Sequence, residues 1–121
     1  MSLKVLTEIA YDWGCRCFGV EHMNNKPIRA LRFAEEAVEL AQACGVPRKT
    51  MLECVHVVYE RAPGNALQET GGSMVTLAIL ARLMHIDLEA AFEYEVRRCL
   101  SKAPEHFAQR NQDKIELGLT A

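Results

Sequence analysis

Apolar residues recur along this chain at intervals of three and four, and no stretch keeps the alternation of two that a half-buried strand requires; the pattern predicts an all-α protein. Val5, Leu6, Ile9, Ala10 and Trp13 fall on one side of a first amphipathic helix, from Ser2 to about Phe18, with Lys4, Glu8 and Asp12 opposite and Gly19 as its stop. The polar stretch from His22 to Lys26 reads as a turn, and Pro27 opens a second helix that Gly45 and Pro47 end near Cys44. A third helix, from about Pro47 to Arg61, is expected to face inward through Met51, Leu52, Val55, Val58 and Tyr59, before Ala62, Pro63, Gly64 and Asn65 break it. The fourth, from about Ala66 to His85, is apolar around nearly its whole circumference between Met74 and Leu83, the pattern of a central helix covered by its neighbours. Asp87 caps a fifth helix reaching about Lys102, and Pro104 starts a short terminal helix or a tail whose last residues fray.

About five helices in 121 residues make one domain of ordinary size. It divides into an N-terminal helix and loop (1–26), core helices (27–102) and a C-terminal tail or short helix (103–121). Half of the residues are apolar and a quarter charged, a balance that supports a packed core and excludes a disordered chain. The net charge of -2 comes without any long run of like charges or any basic recognition helix, which argues against a nucleic-acid partner. No apolar run approaches a membrane span, and Glu8 and Asp12 fall where a secretory leader needs an apolar block, so a cytoplasmic protein is expected. The five cysteines are odd in number and scattered, which favours reduced thiols, and Cys15, Cys17 and His22 lack the second pair that a structural zinc site needs.

Two helices carry candidate chemistry. On the second, Glu35, Glu36 and Glu39 share an arc with Arg32, while Leu31, Ala34, Ala37, Val38, Leu40 and Ala41 take the other side. Glutamates three or four apart can ligate one hard divalent cation together, and without a cation two such charges about 5.5 Å apart repel by roughly 3 kcal/mol at an effective dielectric of about 20. The plainer reading is a solvated face on which Arg32 pairs with Glu35 or Glu36. On the fourth helix Glu69, Ser73 and Thr76 form a polar stripe beside Gly71 and Gly72. A carboxylate in an apolar surround needs a partner, and the paired glycines point to a close approach by a ligand or another backbone. Here the plainer reading is a Glu69 that meets water at the helix start and a Thr76 bonded to its own backbone.

Glu35-Glu36-Ala-Val-Glu39-Leu, then Glu69-Thr-Gly-Gly72 opening an apolar helix, then Ile86-Asp87-Leu-Glu89-Ala-Ala, together resemble the MazG-like nucleoside triphosphate pyrophosphohydrolases, most of all a small phage- and bacterium-borne branch. The likeness spans about Arg29 to Arg98. It implies an all-α bundle completed by homo-oligomerisation, as a homodimer or homotetramer, that takes a nucleoside triphosphate and holds Mg2+ or Mn2+. It also implies metal ligands at Glu36, Glu39 and Glu69 and a catalytic carboxylate at Glu35, with Arg29, Arg32 and Lys102 as candidates for phosphate. Gly72 stands where the family has an aspartate, and 29 residues separate Glu39 from Glu69 (40–68), more than a compact member needs. The family's C-terminal Lys and Asn have no clean match; Lys102, Arg110, Asn111 and Lys114 qualify by type alone. The implied reaction is hydrolysis between the α and β phosphates, and the alternative is a catalytically silent helical module that kept the bundle and lost the full metal site.

Overall fold

The computed structural model describes residues 1–120; Ala121, within the tail expected to fray, lies outside the described residues. Seven helices and no strand occur among them: α1 (Leu3–Phe18), α2 (Val20–Met23), α3 (Lys26–Ala43), α4 (Arg48–Tyr59), α5 (Ala66–Leu83), α6 (Leu88–Leu100) and α7 (Pro104–Glu116). The all-α expectation therefore holds, with two additions. The turn after Gly19 contains the single-turn α2, and the segment after Pro104 is a full 13-residue helix. None of the helices is long and apolar enough to cross a membrane.

Local chemistry explains the boundaries. Ser2, Asn25, Asn65 and Asp87 each accept a hydrogen bond from a backbone N–H three residues on, the capping geometry that satisfies the free donors of a helix start. At the other ends, α3, α5 and α7 close in one way. Val46 N donates to Ala41 O, Ile86 N to Ala81 O and Leu119 N to Lys114 O, each across a residue with positive φ. Gly45 and Gly118 fill that slot in α3 and α7 without strain, but α5 places His85 there at φ 58°.

The packing centres on α1, which makes the close pairings of the fold with α2, α6 and α7. Leu6 (1% exposed), Gly14 and Cys17 form its buried strip, joined by Val96 from α6 and Phe107 from α7. Trp13 stands edge-on to Phe107, with ring centroids 4.9 Å apart, and to Phe18 at 5.9 Å. Gly14 is bare because the Met23 thioether of α2 lies where a Cβ would point.

The helices beyond this hub correct the sequence expectation. α5 is not covered by its neighbours, since Ala81 is its one buried residue, and α4 buries none. The face of α4 expected to point inward is open at Leu52, Val55, Val58 and Tyr59. Periodicity identifies an apolar face but not what covers it.

Two substitutions test this description. Leu6→Ala removes the most enclosed side chain of the hub and is expected to cost about 3 kcal/mol in urea unfolding. His85→Gly relieves a left-handed backbone that costs an L-residue roughly 1–2 kcal/mol, and should stabilise by about 1 kcal/mol once the added freedom of the unfolded chain is deducted.

Candidate functional site

The site is built on α3, started by Asn25 Oδ1 accepting from Ile28 N and by Pro27 in the first turn. Arg32 and Glu35 lie one turn apart there, and Asn111 and Lys114 lie one turn apart on α7, so the two rows meet in register. Arg32 donates from Nε and Nη2 to Asn111 Oδ1 at 3.3 and 3.0 Å, and from Nη1 to the Leu119 carbonyl at 2.9 Å. Glu35 Oε1 lies 3.0 Å from Lys114 Nζ, an ion pair that is mostly shielded from solvent. Asn111 Nδ2 continues the chain to His22 Nε2 at 3.0 Å, which ties α2 into the same network. Of the basic and amide residues that qualified by type, the structure brings Asn111 and Lys114 to the acidic helix.

With Glu35 engaged, Glu36 and Glu39 are left on the acidic face, and neither joins an ion pair among the described residues. Partial burial pushes the Glu36 carboxyl above its ordinary value; Glu39 adds the next largest push, Lys114 opposes it, and Glu35 and Glu95 add further repulsion. Glu95 of α6 is a member of the site that sequence reasoning missed. Its carboxylate is gripped by Arg98, which donates from Nε at 2.9 Å and Nη2 at 2.6 Å, and these bonds hold its pKa below the ordinary value. Nothing in the i to i+3 spacing of Glu95 and Arg98 distinguishes them from a surface pair until α6 is folded beside α3.

Arg29 is the basic residue of the site with the least satisfied head. Its guanidinium stacks over Phe18, 5.0 Å from the ring centroid, and Nη1 reaches the Met23 sulfur at 3.6 Å. Nε and Nη2 are enclosed and have no hydrogen-bond partner. Burial, and then the neighbouring Arg32, lower its pKa, the direction expected of a cation short of counter-charge. Lys102 follows the end of α6, exposed, and helps to hold Glu95 ionised.

Glu69 is elsewhere. It occupies the first turn of α5, exposed, with its carboxylate folded back over Gly64, where a Cβ would fall 2.5 Å from Oε1. Ser73 and Thr76, the rest of the expected polar stripe, donate to carbonyls of their own helix at 2.9–3.1 Å. Glu69 is also separated from the α3 acids by register. The caps Cys44 and Met84 meet at 3.7 Å, so α3 and α5 end together. Counted back from that end, Glu39 stands about 8 Å along its helix and Glu69 about 22 Å along its own, so the two lie at least about 15 Å apart whatever the angle between the helices. One divalent ion takes its oxygens from within about 2.6 Å, and among the described residues no three acidic, His or Cys side chains converge to hold one. Gly71 and Gly72 cost α5 about 1 kcal/mol each relative to Ala, yet apart from their chain neighbours and the helix's own backbone no described atom lies within 4 Å of a Cβ built on either.

Comparisons with protein-family models, curated proteins and solved structures find no match to this chain.

The raised Glu36 pKa has a pH consequence of definite sign. The folded chain holds this proton more tightly than the unfolded chain, so the contribution of Glu36 to stability is intact below about pH 4.5 and is lost as pH rises through the raised value. Glu36→Gln is therefore expected to melt at a higher temperature than the parent at pH 7, with the gap closing toward pH 4; a gap that widens on acidification overturns the assignment.

Proposed function

We propose that this chain is a metal-dependent nucleoside triphosphate pyrophosphohydrolase that converts NTP and water to NMP and pyrophosphate, working in the cytoplasm as a homodimer or homotetramer. The observation that carries the reading is that α3 holds two acids without a counter-ion, Glu36 and Glu39, and, about two turns nearer its start, a guanidinium, Arg29, that has two enclosed N–H groups without partners. Carboxylates open to a cation beside cations open to an anion suit a polyphosphate, which presents metal-binding oxygens and anionic oxygens together. The order of the Glu35-Glu36-Ala-Val-Glu39 and Glu69-Thr-Gly-Gly motifs in the sequence points the same way.

The donor set fits Mg2+ or Mn2+, which take one or two carboxylates and complete their shell with water and phosphate oxygens. Glu36 and Glu39 would hold such an ion; when bound, it supplies neutralising charge to the phosphate oxygens and to the departing pyrophosphate. Glu35, fixed by Lys114, would take the proton of the attacking water through its other oxygen. Arg29 would donate to the phosphates, and Arg32, by gripping Asn111, keeps α7 against the site. Lys102 would add positive charge at its edge.

The second reading, a silent helical nucleotide-binding or interaction module, is favoured by Gly72 in place of an acid and by the distance of Glu69 from the α3 acids. Pyrophosphate release from a panel of canonical and modified nucleoside triphosphates separates the two. Turnover that requires Mg2+ or Mn2+, and that falls at least about 100-fold in Glu39→Ala and in Glu35→Gln, supports the enzyme. A folded chain that releases pyrophosphate from none of them supports the module. Gly72→Asp then reports on the missing acid: activity gained means a degenerate site, activity lost means that the bare backbone is needed.

A further inference from the structure

The chain exposes 9338 Å², whereas a compact monomer of 13.6 kDa exposes about 6,600 Å², an excess of roughly 2,800 Å². The excess is concentrated where the hub does not reach. On the α4–α5 arm Leu52 is 63% exposed, Ile79 57% and Leu67 83%, and on α3 the flank beside the acids leaves Phe33 57% exposed. Open faces on α5 and on α3 of one chain do not cover each other, because the arm packs closely on no helix of its own copy. Two further features of the arm lack a purpose within one copy. Gly71 and Gly72 leave this part of α5 bare with nothing from outside the helix approaching it, and Glu69, on the same side of the helix as Gly72, stands out of register with Glu36 and Glu39.

We propose that the α4–α5 arm of one copy packs against α3 of a second copy. The bare backbone at Gly72 lets the two helices cross closely, and Glu69 of each copy, on the same face, enters the acidic site of the other. The occupant is a second copy rather than another protein because the vacant surfaces are mutual. Each chain offers both an arm and an uncovered α3, so a two-fold arrangement fills both at once. Covering the excess on both chains would bury about 5,600 Å², the scale of an obligate homodimer and far above a transient contact. The role given to Glu69 rests on the pyrophosphohydrolase reading, whereas the packing does not.

The test uses the full chain and begins with a readout independent of activity. Sedimentation is expected to give the mass of two copies, or an even multiple, and Ile79→Asp is expected to give monomers with helical circular dichroism retained. With exposed Cys44 and Cys54 changed to serine, a tagged chain carrying Glu36→Cys is then mixed with an untagged chain carrying Gly72→Cys and oxidised mildly. A disulfide joining one chain of each kind supports the proposal. A monomeric parent chain overturns it, as does a multimer in which this pair fails to join or in which the doubly substituted chain closes on itself. The final arm mixes Glu39→Ala with Glu69→Ala chains. Half of randomly paired dimers then hold one chain of each kind, and one of the two sites in each is undamaged, so about a quarter of parental turnover should return; no return places both glutamates in one chain and overturns the shared site. If the parent chain releases no pyrophosphate, the enzymatic reading falls while the disulfide result still decides the packing.

Discussion

The rest of the fold depends on the apolar strip of α1. Leu6, Gly14 and Cys17 lie on one side of that helix, and the helices that pack closely on it, α2, α6 and α7, are also those that bring His22, Glu95, Asn111 and Lys114 to α3. α3 itself buries little, so its position is set less by apolar contact than by polar ties to helices already seated on the hub. The Arg32–Asn111 and Glu35–Lys114 pairs form those ties, and their matched one-turn spacing allows both to form without bending either helix. Order in the acidic site is thus inherited from a core that contains no part of it.

The same ties decide which charges remain for chemistry. An ion pair shielded from solvent gives back much of its attraction in lost hydration, and the Glu35–Lys114 pair is better understood as sorting the carboxylates. It satisfies one of three glutamates on the α3 arc and leaves the other two to repel each other, with Glu95 held ionised nearby by Arg98. Two turns back along the same face as Glu36, Arg29 is short of the opposite kind of charge. A site whose acids and bases neutralised one another would show neither imbalance.

Much of the secondary structure was legible because its signals are local. Ser2, Asp87 and the Gly45–Pro47 pair mark helix ends through the hydrogen bonds that their own side chains or backbones permit, and no distant residue alters that. His85 escaped notice because a histidine carries no sign of the positive φ that a glycine would announce. Glu36 and Glu39 were legible as a pair because one helix fixes both. Asn111 and Lys114 were legible only by type, since their importance lies in a register between α3 and α7 that exists after folding. Burial was the least legible property, and the apolar wheel of α5 led to an expected cover that one chain does not provide.

That mismatch bears on how α4 stays helical. It has 12 residues, three of them valine in the stretch Val55, Val57 and Val58, no side-chain cap at its start and no buried residue. Isolated helices of about that length are marginal in water even when built from alanine, and β-branched residues lower the propensity further. Propensity and capping therefore do not account for it, and most helical stability in proteins comes from burying an apolar face. α5 is longer and capped by Asn65, but it carries two interior glycines that together cost about 2 kcal/mol, more than such a cap typically contributes. Both helices are consequently of the kind that a sequence retains when another surface completes them, and the chemistry of the face they present, apolar with a bare glycine seam and one carboxylate, defines what that surface has to offer: apolar side chains, a smooth backbone approach and a means of balancing negative charge.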